Sequence, residues 1–181
     1  MYTGLIAKRY AKALFDFALS KGEDKLVYAQ VLELIEYFAH NASAKEQIAS
    51  PVVAAQIKKA FVFAGVKDEV CSSLQRFVDL VMQQGREEFL VFMLHSYTSL
   101  YKEHYRIAQV EITVAAPLGE GVEEGIANLV QKNTECSSVQ LRTRTDESII
   151  GGFVLRIDDM QMDASVASQL GKLKNILLGK L

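Results

Sequence analysis

The sequence predicts a mainly α-helical protein with a smaller α/β part. Through the first hundred residues, apolar side chains recur three and four positions apart, which is the period of an amphipathic helix. From about residue 106 the period changes to two, which is typical of half-buried strands. We therefore expect an antiparallel six-helix bundle in residues 1–105 and a β-α-β-β-α domain in residues 106–181.

The first helix is expected from about Leu5 to Ser20, and it is apolar around much of its circumference. Two adjacent faces carry its apolar side chains: Ile6, Tyr10, Ala13, Leu14 and Phe17 on one, and Ala7, Ala11, Phe15 and Ala18 on the other. Such a helix is either central or packs against two partners. Gly22 after Lys21 ends it.

Five further helices with short connections account for the rest of the bundle. We expect them over about Asp24 to Ala39, Asn41 to Ser50 (a short helix or turn), Val52 to Phe63, Asp68 to Gln83 and Arg86 to Tyr105. Ser50 and Pro51 resemble a helix start, with serine as the cap and proline at the first helical position. The fifth helix has one broad apolar face, formed by Cys71, Leu74, Phe77, Val78, Val81 and Met82.

The C-terminal part begins with a strand in which Val110, Ile112 and Val114 alternate with polar residues. A helix from Glu123 to Lys132 follows, and then two strands, residues 139–144 and 153–157. Gly151 and Gly152 separate these strands and indicate a hairpin turn or close backbone packing. Asp163 or Ser165 is expected to cap a last helix with Val166, Leu170, Leu173 and Leu177 on its apolar face.

Composition excludes several classes of protein. The chain has 181 residues, of which 20 are basic and 22 acidic, and this near balance argues against nucleic-acid binding by bulk electrostatics. No apolar run approaches the ~20 residues of a membrane-spanning helix, so we expect no direct membrane insertion. The N-terminal segment has no long apolar region of a signal peptide, and we expect a cytoplasmic protein.

No pattern in the sequence indicates a catalytic, cofactor or metal site. The segment from Gly119 to Gly125 has the glycine spacing of a dinucleotide-binding loop, but three glutamates would repel a pyrophosphate there. A soluble nucleotide- or dinucleotide-binding enzyme using this loop is the alternative function. The remaining candidate ligands lack metal-site spacing: His40, His95, His104, Cys71, Cys136, Asp158, Asp159 and Asp163. We expect the aspartates to be turn and cap residues, the histidines to be structural or solvent-facing, and the cysteines to be buried or idle thiols in a reducing compartment.

The broad apolar surfaces of the first and fifth helices permit two interpretations. All of this surface could be bundle core, or part of it could form an open groove for an amphipathic helix of a partner. The residues alone do not decide between the two.

Three segments of the chain resemble the delta subunit family of F-type ATP synthases, which includes the mitochondrial oligomycin-sensitivity-conferring protein. They are Tyr10-Ala11-Lys12-Ala13-Leu14-Phe15-x-x-Ala18, the run Phe77 to Met82 followed by Gln84-Gly85-Arg86, and a C-terminal pattern of Thr145-Asp146, Ile149, Gly151-Gly152-Phe153-x-Leu155-Arg156, Asp163-x-Ser165 and Gln169-Leu170. Gln84 stands where many relatives have asparagine.

The resemblance implies a non-catalytic stator of a bacterial enzyme, peripheral on the cytoplasmic side of the inner membrane. Such a subunit links the catalytic head to the peripheral stalk and resists rotor torque during proton-driven ATP synthesis. It implies that the N-terminal domain binds the N-terminal helix of an α subunit through Tyr10, Ala13, Leu14, Phe17, Leu74, Val78 and Val81. The C-terminal domain would bind the C-terminal region of the b subunit, through Arg142, Arg144 and Arg156 or through the apolar face of the last helix.

Overall fold

The computed structural model describes residues 3–50, 52–116, 121–133, 136–157 and 160–178. The chain divides into two compact units, Met1–Glu103 and His104–Leu181. The first is helical, and the second combines a small sheet with helices, so the mainly α fold with a smaller α/β part is confirmed.

Six α-helices occur in the described part of the first unit. Their bounds are α1 (Thr3–Lys21), α2 (Asp24–His40), α3 (Ala42–Ala49), α4 (Ala55–Phe63), α5 (Ser72–Gln83) and α6 (Leu90–His104). Helix α1 packs against α2 and α5, and α3 packs against α2 and α4. The core side of α1 is a stripe of small residues, Ala7, Ala11 and Ala18, all buried. Alanine adds little bulk, so the backbone of α1 can lie close to its neighbours.

The predicted start of the fourth helix at Ser50 is wrong. Ser50 is extended and forms the C-terminal cap position of α3, where its backbone N–H donates to the Glu46 carbonyl oxygen at 2.9 Å. A residue before proline is sterically biased away from the helical region, which explains this conformation. Helix α4 begins later, after Ala54, and Pro51 lies outside the described residues.

The fifth and sixth helices also begin later than predicted. Cys71 is the extended N-cap residue of α5, so its side chain does not belong to the apolar face of that helix. A 3-10 turn, Glu87–Phe89, precedes α6. Glu87 in this turn accepts a 2.5 Å hydrogen bond from the Lys58 ammonium group, and Lys58 is only 2% exposed. This pair ties the turn to α4, and the regular helix starts only after it.

The second unit is built on a four-stranded sheet with the strand order β2-β1-β3-β4. The strands are β1 (Ile107–Val114), β2 (Ser138–Thr145), β3 (Phe153–Ile157) and β4 (Met160–Asp163), with α7 (Val122–Asn133) between β1 and β2 and α8 (Val166–Leu177) after β4. β1 pairs in parallel with β2 and antiparallel with β3. Val130 of α7 packs with Ala108 and Val110 on one face of the sheet.

The predicted β-α-β-β-α order omits the strand β4. This strand has four residues and pairs antiparallel with β3, Met162 lying opposite Leu155. A stretch of Met-Gln-Met-Asp has no β-branched residue, so its sequence carries little strand propensity. It forms a strand because β3 offers it an open edge.

Gly151 and Gly152 do not form a hairpin turn between β2 and β3, because β1 lies between those strands. They provide close backbone packing instead. The Val166 N–H donates to the Gly151 carbonyl oxygen at 2.9 Å, and a Cβ on Gly152 would lie 2.3 Å from the Ala164 carbonyl oxygen. Upstream, Asp146 accepts a 2.9 Å hydrogen bond from the Ser148 N–H and caps a 3-10 turn. This segment therefore anchors the start of α8 beside β3.

Ser165 is the cap of α8, as predicted, and Asp163 supports it. The Ser165 side chain accepts from the Ser168 N–H, while Asp163 accepts from the Ser165 N–H at 2.9 Å and from the Ser168 hydroxyl at 2.6 Å. These hydrogen bonds lower the pKa of Asp163 to about 2, and the bond from the Ser168 hydroxyl has the largest effect. The carboxylate therefore stays ionised through the neutral range.

A residue with a Cβ pays ~1–2 kcal/mol to adopt the left-handed conformation. Gly152→Ala should destabilise the junction of β3 and α8 by more than this, because the new Cβ would also clash with the backbone. Hydrogen exchange of residues 153–157 and 166–177 measures the effect. Gly121→Ala is the matched control, since Gly121 has φ +81° and open space around its Cβ position, whereas Gly152 has φ +75° and the clash. Equal protection loss in the two variants would contradict the packing role.

Candidate partner-binding groove

The outer side of α1 carries an apolar stripe next to its buried alanine stripe. Ile6, Tyr10, Ala13 and Phe17 recur at helical spacing, and each is half-buried or exposed. Helix α5 is the neighbour of α1 on this side, because Arg76 of α5 lies over the Phe17 ring at 5.9 Å. We refer to this stripe and the adjacent surface of α5 as the candidate groove.

Cations lie beside the two aromatic rings of this groove. Lys21 lies 4.9 Å from the centroid of the Phe17 ring, and Arg86 lies 5.5 Å from that of Tyr10. Such contacts stabilise the ring positions by about 0.5–1 kcal/mol each at exposed sites. The groove is thus an apolar strip with basic side chains along its edge.

The structure divides the predicted groove residues into two groups. Tyr10, Ala13 and Phe17 lie at the surface. The other four are buried in the helical core: Leu14, Leu74, Val78 and Val81. Their side chains are therefore not exposed on the surface of α1 or α5.

Two residues of α5 that sequence reasoning missed line the surface instead. Arg76 contacts Phe17, and Leu80 follows it by four positions, which places both on the side of α5 nearest α1. Leu80 is 43% exposed, whereas the main apolar face of α5 is buried. The sequence could have revealed it, because Leu80 is an apolar residue that does not share the helical spacing of Leu74, Val78 and Val81.

One end of the groove is held by Glu23, in the turn between α1 and α2. Its carboxylate accepts hydrogen bonds from the Ser73 N–H at 3.0 Å, the Ser73 hydroxyl at 2.5 Å and the Ser72 hydroxyl at 3.1 Å. Lys21 also donates to the Ser72 hydroxyl at 2.9 Å. These hydrogen bonds lower the pKa of Glu23 below its ordinary value, and the bond from the Ser73 hydroxyl has the largest effect. The N-terminus of α5 is thereby fastened to the end of α1.

The glycine-rich segment proposed as a dinucleotide-binding loop forms the start of α7 where the structure describes it. Gly121 and Gly125 begin α7, with the Gly125 N–H donating to the Gly121 carbonyl oxygen at 3.1 Å, whereas Gly119 lies outside the described residues. Glu123 accepts a 2.6 Å hydrogen bond from Thr143. Asp158 and Asp159 also lie outside the described residues.

The described ranges contain neither a metal-binding cluster nor a helix suited to crossing a membrane. No group of three or more His, Cys, Asp or Glu side chains there could hold a metal ion. Cys71 and Cys136 are half-buried and form no disulfide. Among the same residues, no helix combines the length and apolarity needed to cross a membrane.

The whole chain is similar to known proteins. Residues 6–177 match the family described as ATP synthase delta (OSCP) subunit. The chain belongs to this family. It is 36% identical over 181 residues to the ATP synthase subunit delta of Phocaeicola vulgatus, covering 99% of this chain and 97% of that one. It is 32% identical over 178 residues to the subunit delta of Parabacteroides distasonis, covering 98% of both.

A solved structure shows the same fold. A chain of the Toxoplasma gondii mitochondrial ATP synthase hexamer superposes with a TM-score of 0.68 at 20% identity, covering 95% of this chain and 97% of that one. The resemblance seen in the sequence is therefore confirmed. Membership of the delta (OSCP) family makes the chain a structural subunit and not an enzyme, and the nucleotide-binding alternative has no support.

Glu23→Gln should lower the melting temperature of the protein by a few degrees at pH 7, because the cap of α5 loses its charged acceptor. The folded-state pKa is lowered, so the stabilisation is present above the unfolded value and is lost as pH falls below about 4.5. The difference between wild type and variant should therefore shrink in acid. Thermal melts by circular dichroism at several pH values measure it, with Asp16→Asn on the exposed side of α1 as control. A difference that stays constant down to about pH 3 would contradict the charged cap.

Proposed function

We propose that the two units of this chain are the two attachment points of a stator. The chain is a peripheral-stalk subunit of F-type ATP synthase, as its family membership supports. Each unit has an apolar surface that the other described residues leave at least partly exposed: the groove between α1 and α5, and the outer part of α8. A subunit that links the catalytic head to the b-subunit stalk and resists rotor torque needs two such interfaces.

The N-terminal domain, which we take as residues 1–105, is an antiparallel six-helix bundle that binds the N-terminal helix of an α subunit in the α1–α5 groove. Tyr10 and Phe17 are the aromatic anchors, and the small side chain of Ala13 between them lets the partner backbone come close. Leu80 completes the apolar floor. The basic edge formed by Lys21, Arg76 and Arg86 favours a helix with acidic residues beside its apolar stripe.

The C-terminal domain, which we take as residues 106–181, binds the C-terminal region of the b subunit through α8. The side chains of Leu170, Leu173, Ile176 and Leu177 are all more than half exposed, Leu177 by 86%. They follow helical spacing and form an apolar stripe on a helix that packs against the 3-10 turn at residues 147–149. A helical partner lying along this stripe would bury it. The stripe fits the b subunit better than the arginines do, because apolar area provides most of the free energy of a stable interface.

With these two attachments, the subunit lies on the cytoplasmic side of the bacterial inner membrane, as a peripheral component of an ATP synthase that runs on protons. The subunit resists rotor torque through its contacts with other proteins alone. Neither attachment uses a cofactor.

Ala13→Asp should abolish binding of a synthetic peptide with the first ~20–25 residues of the α subunit, a helix of several turns. The new carboxylate would be buried without a partner in the centre of the groove. Isothermal titration calorimetry of the full chain measures affinity and stoichiometry, which we expect to be one peptide per chain. Ala42→Asp, on the exposed start of α3, is the matched control. Unchanged affinity in a folded Ala13→Asp protein would refute this groove.

The same titration separates surface residues of α5 from buried ones. Leu80→Ser should weaken the α-peptide and leave the melting temperature nearly unchanged, because Leu80 is already 43% exposed. Val78→Ala should lower the melting temperature by creating a cavity, while the peptide still binds the folded protein. The reverse pattern would show that the groove opens further on binding and that Val78 is a direct contact.

Leu173→Gln with Leu177→Gln should remove binding of a peptide from the C-terminal region of the b subunit, since both side chains lie on the apolar stripe of α8. The control is Leu26→Gln with Leu32→Gln on α2, where two leucines are also exposed. Calorimetry with the full chain provides the measurement. If the control pair lowers the affinity as much as the α8 pair, the b subunit does not bind specifically at α8.

A further inference from the structure

The ion pair between Lys58 of α4 and Glu87 of the following 3-10 turn is largely removed from solvent. The side chain of Lys58 is 3% exposed and that of Glu87 is 19% exposed, and the Lys58 ammonium group donates to Glu87 Oε1 at 2.5 Å. Two charges taken out of water lose hydration that their mutual attraction restores only in part. Such a pair favours folding only when its remaining polar atoms are also hydrogen-bonded.

The hydrogen bonding of this pair is incomplete. Among the described residues, the buried Oε2 atom of Glu87 has no hydrogen-bond partner. Burial acts to raise the pKa of Glu87, but the hydrogen bonds from Lys58 and from the Glu87 N–H, with the charge of Lys58, outweigh it and leave that pKa below its ordinary value. The carboxylate is therefore ionised with one oxygen unpaired. Apolar side chains of similar volume are often as stable as a buried pair or more so, so stability alone does not explain this one.

An ion pair supplies direction that apolar packing lacks. Burial of apolar surface is non-directional, whereas a hydrogen bond weakens steeply when its angle or length changes. The bond from Lys58 therefore fixes the position of the 3-10 turn on α4 more closely than apolar side chains at these two positions would.

Arg86 directly precedes this turn, and its backbone is bonded on both sides. Its N–H donates to the Val81 carbonyl oxygen of α5 at 3.1 Å, and its own carbonyl oxygen accepts from the Phe89 N–H at 3.1 Å. Gly85, which has φ +59°, ends α5 in the left-handed conformation that gives the first of these bonds. The position of Arg86 is thus set by α5 on one side and by the turn that Glu87 anchors on the other.

The side chain of Arg86 reaches from this position to α1. Its guanidinium lies 5.5 Å from the centroid of the Tyr10 ring, and both residues are half-buried. A cation over an aromatic face attracts the ring electrostatically. An unbroken series of contacts therefore leads from Lys58 through Glu87 and Arg86 to Tyr10 on the surface stripe of α1.

We propose that the Lys58–Glu87 pair positions the Tyr10 ring for partner binding, acting through Arg86. The proposal rests on the proposed function, in which Tyr10 is an aromatic anchor of the candidate groove. Lys58 and Glu87 are positioning residues that act from beneath the surface. An anchor that is held in place before the partner arrives loses less conformational freedom on association. The pair thus contributes to affinity although it contributes little to stability.

The test replaces both charges at once, because removing one would leave the other buried and unpaired. Lys58→Met with Glu87→Leu, the charge-free variant, should melt at the same temperature as the wild type or higher. Its affinity for the α-peptide, measured by calorimetry with the full chain, should fall about two- to fivefold, as for the loss of an exposed cation–π contact. Lys59→Met with Asp79→Leu is the matched control. It removes a partly exposed ion pair between α4 and α5 and should leave the affinity unchanged.

Two further measurements separate positioning from a merely structural role. In the free protein, the Tyr10 ring current shifts the NMR resonance of the Arg86 Nε–H, and Tyr10→Leu gives the reference without the ring. The charge-free variant should move this resonance toward that reference. In the Tyr10→Leu background, the charge-free substitutions should change the peptide affinity little further, because residues that act through one another are not additive.

Four results would overturn the proposal. An Arg86 resonance that is unchanged in the charge-free variant would show that the pair does not hold the ring. A lower melting temperature of that variant would assign the pair to stability. A loss of affinity that adds to that of Tyr10→Leu, or that the Lys59 and Asp79 control reproduces, would place the effect elsewhere.

The fourth result is a wild-type protein that does not bind the α-peptide. The candidate groove would then be rejected, and with it the role of the pair in partner binding. The Arg86 resonance needs no peptide, so it distinguishes this failure of the proposed function from a failure of the Lys58–Glu87 pair to position Tyr10.

Discussion

The close packing of α1 through its alanine stripe is the constraint on which the helical unit depends. Ala7, Ala11 and Ala18 are buried, and larger side chains there would push α2 and α5 away from α1. The larger aromatic side chains of Tyr10 and Phe17 consequently lie at the edge of the core and not within it. The groove is thus a direct result of which apolar face of α1 contains the small residues.

Hydrogen bonds and cation–π contacts hold α1 and α5 in fixed positions relative to each other. Glu23 holds the start of α5 through Ser72 and Ser73, while Arg76 and Arg86 contact the rings on α1. A partner helix bound as we propose would meet two helices whose spacing is already set before binding. Such preorganisation reduces the ordering cost of association, which suits an interface that must carry torque.

The second unit divides its surface differently. Its sheet is apolar on the side of α7 and polar on the other, and α8 adds an apolar stripe of its own. The connector of Asp146, Gly151 and Gly152 fastens the first turn of α8, while the rest of that helix is exposed. A helix that buries only its first turn has little intrinsic stability in water. It gains stability when a partner covers the leucines.

The sequence by itself determined the family, the change from helical to strand periodicity near residue 106, and most helix ends. These features rest on local patterns: glycines after helices, apolar spacing, and the serine cap of α8. Helix starts were harder, because Ser50 and Cys71 adopt extended conformations that depend on Pro51 and on the contacts of α5.

Only the tertiary structure decided which apolar side chains face water. Val78 and Leu80 of α5 are both apolar, yet the first is buried in the helical core and the second is 43% exposed, because the neighbouring helices cover only one side of α5. The tertiary structure likewise made a strand of Met160–Asp163, because the edge of β3 supplies the hydrogen bonds. Periodicity records which residues share a face, and only the neighbours of that face determine whether it is buried.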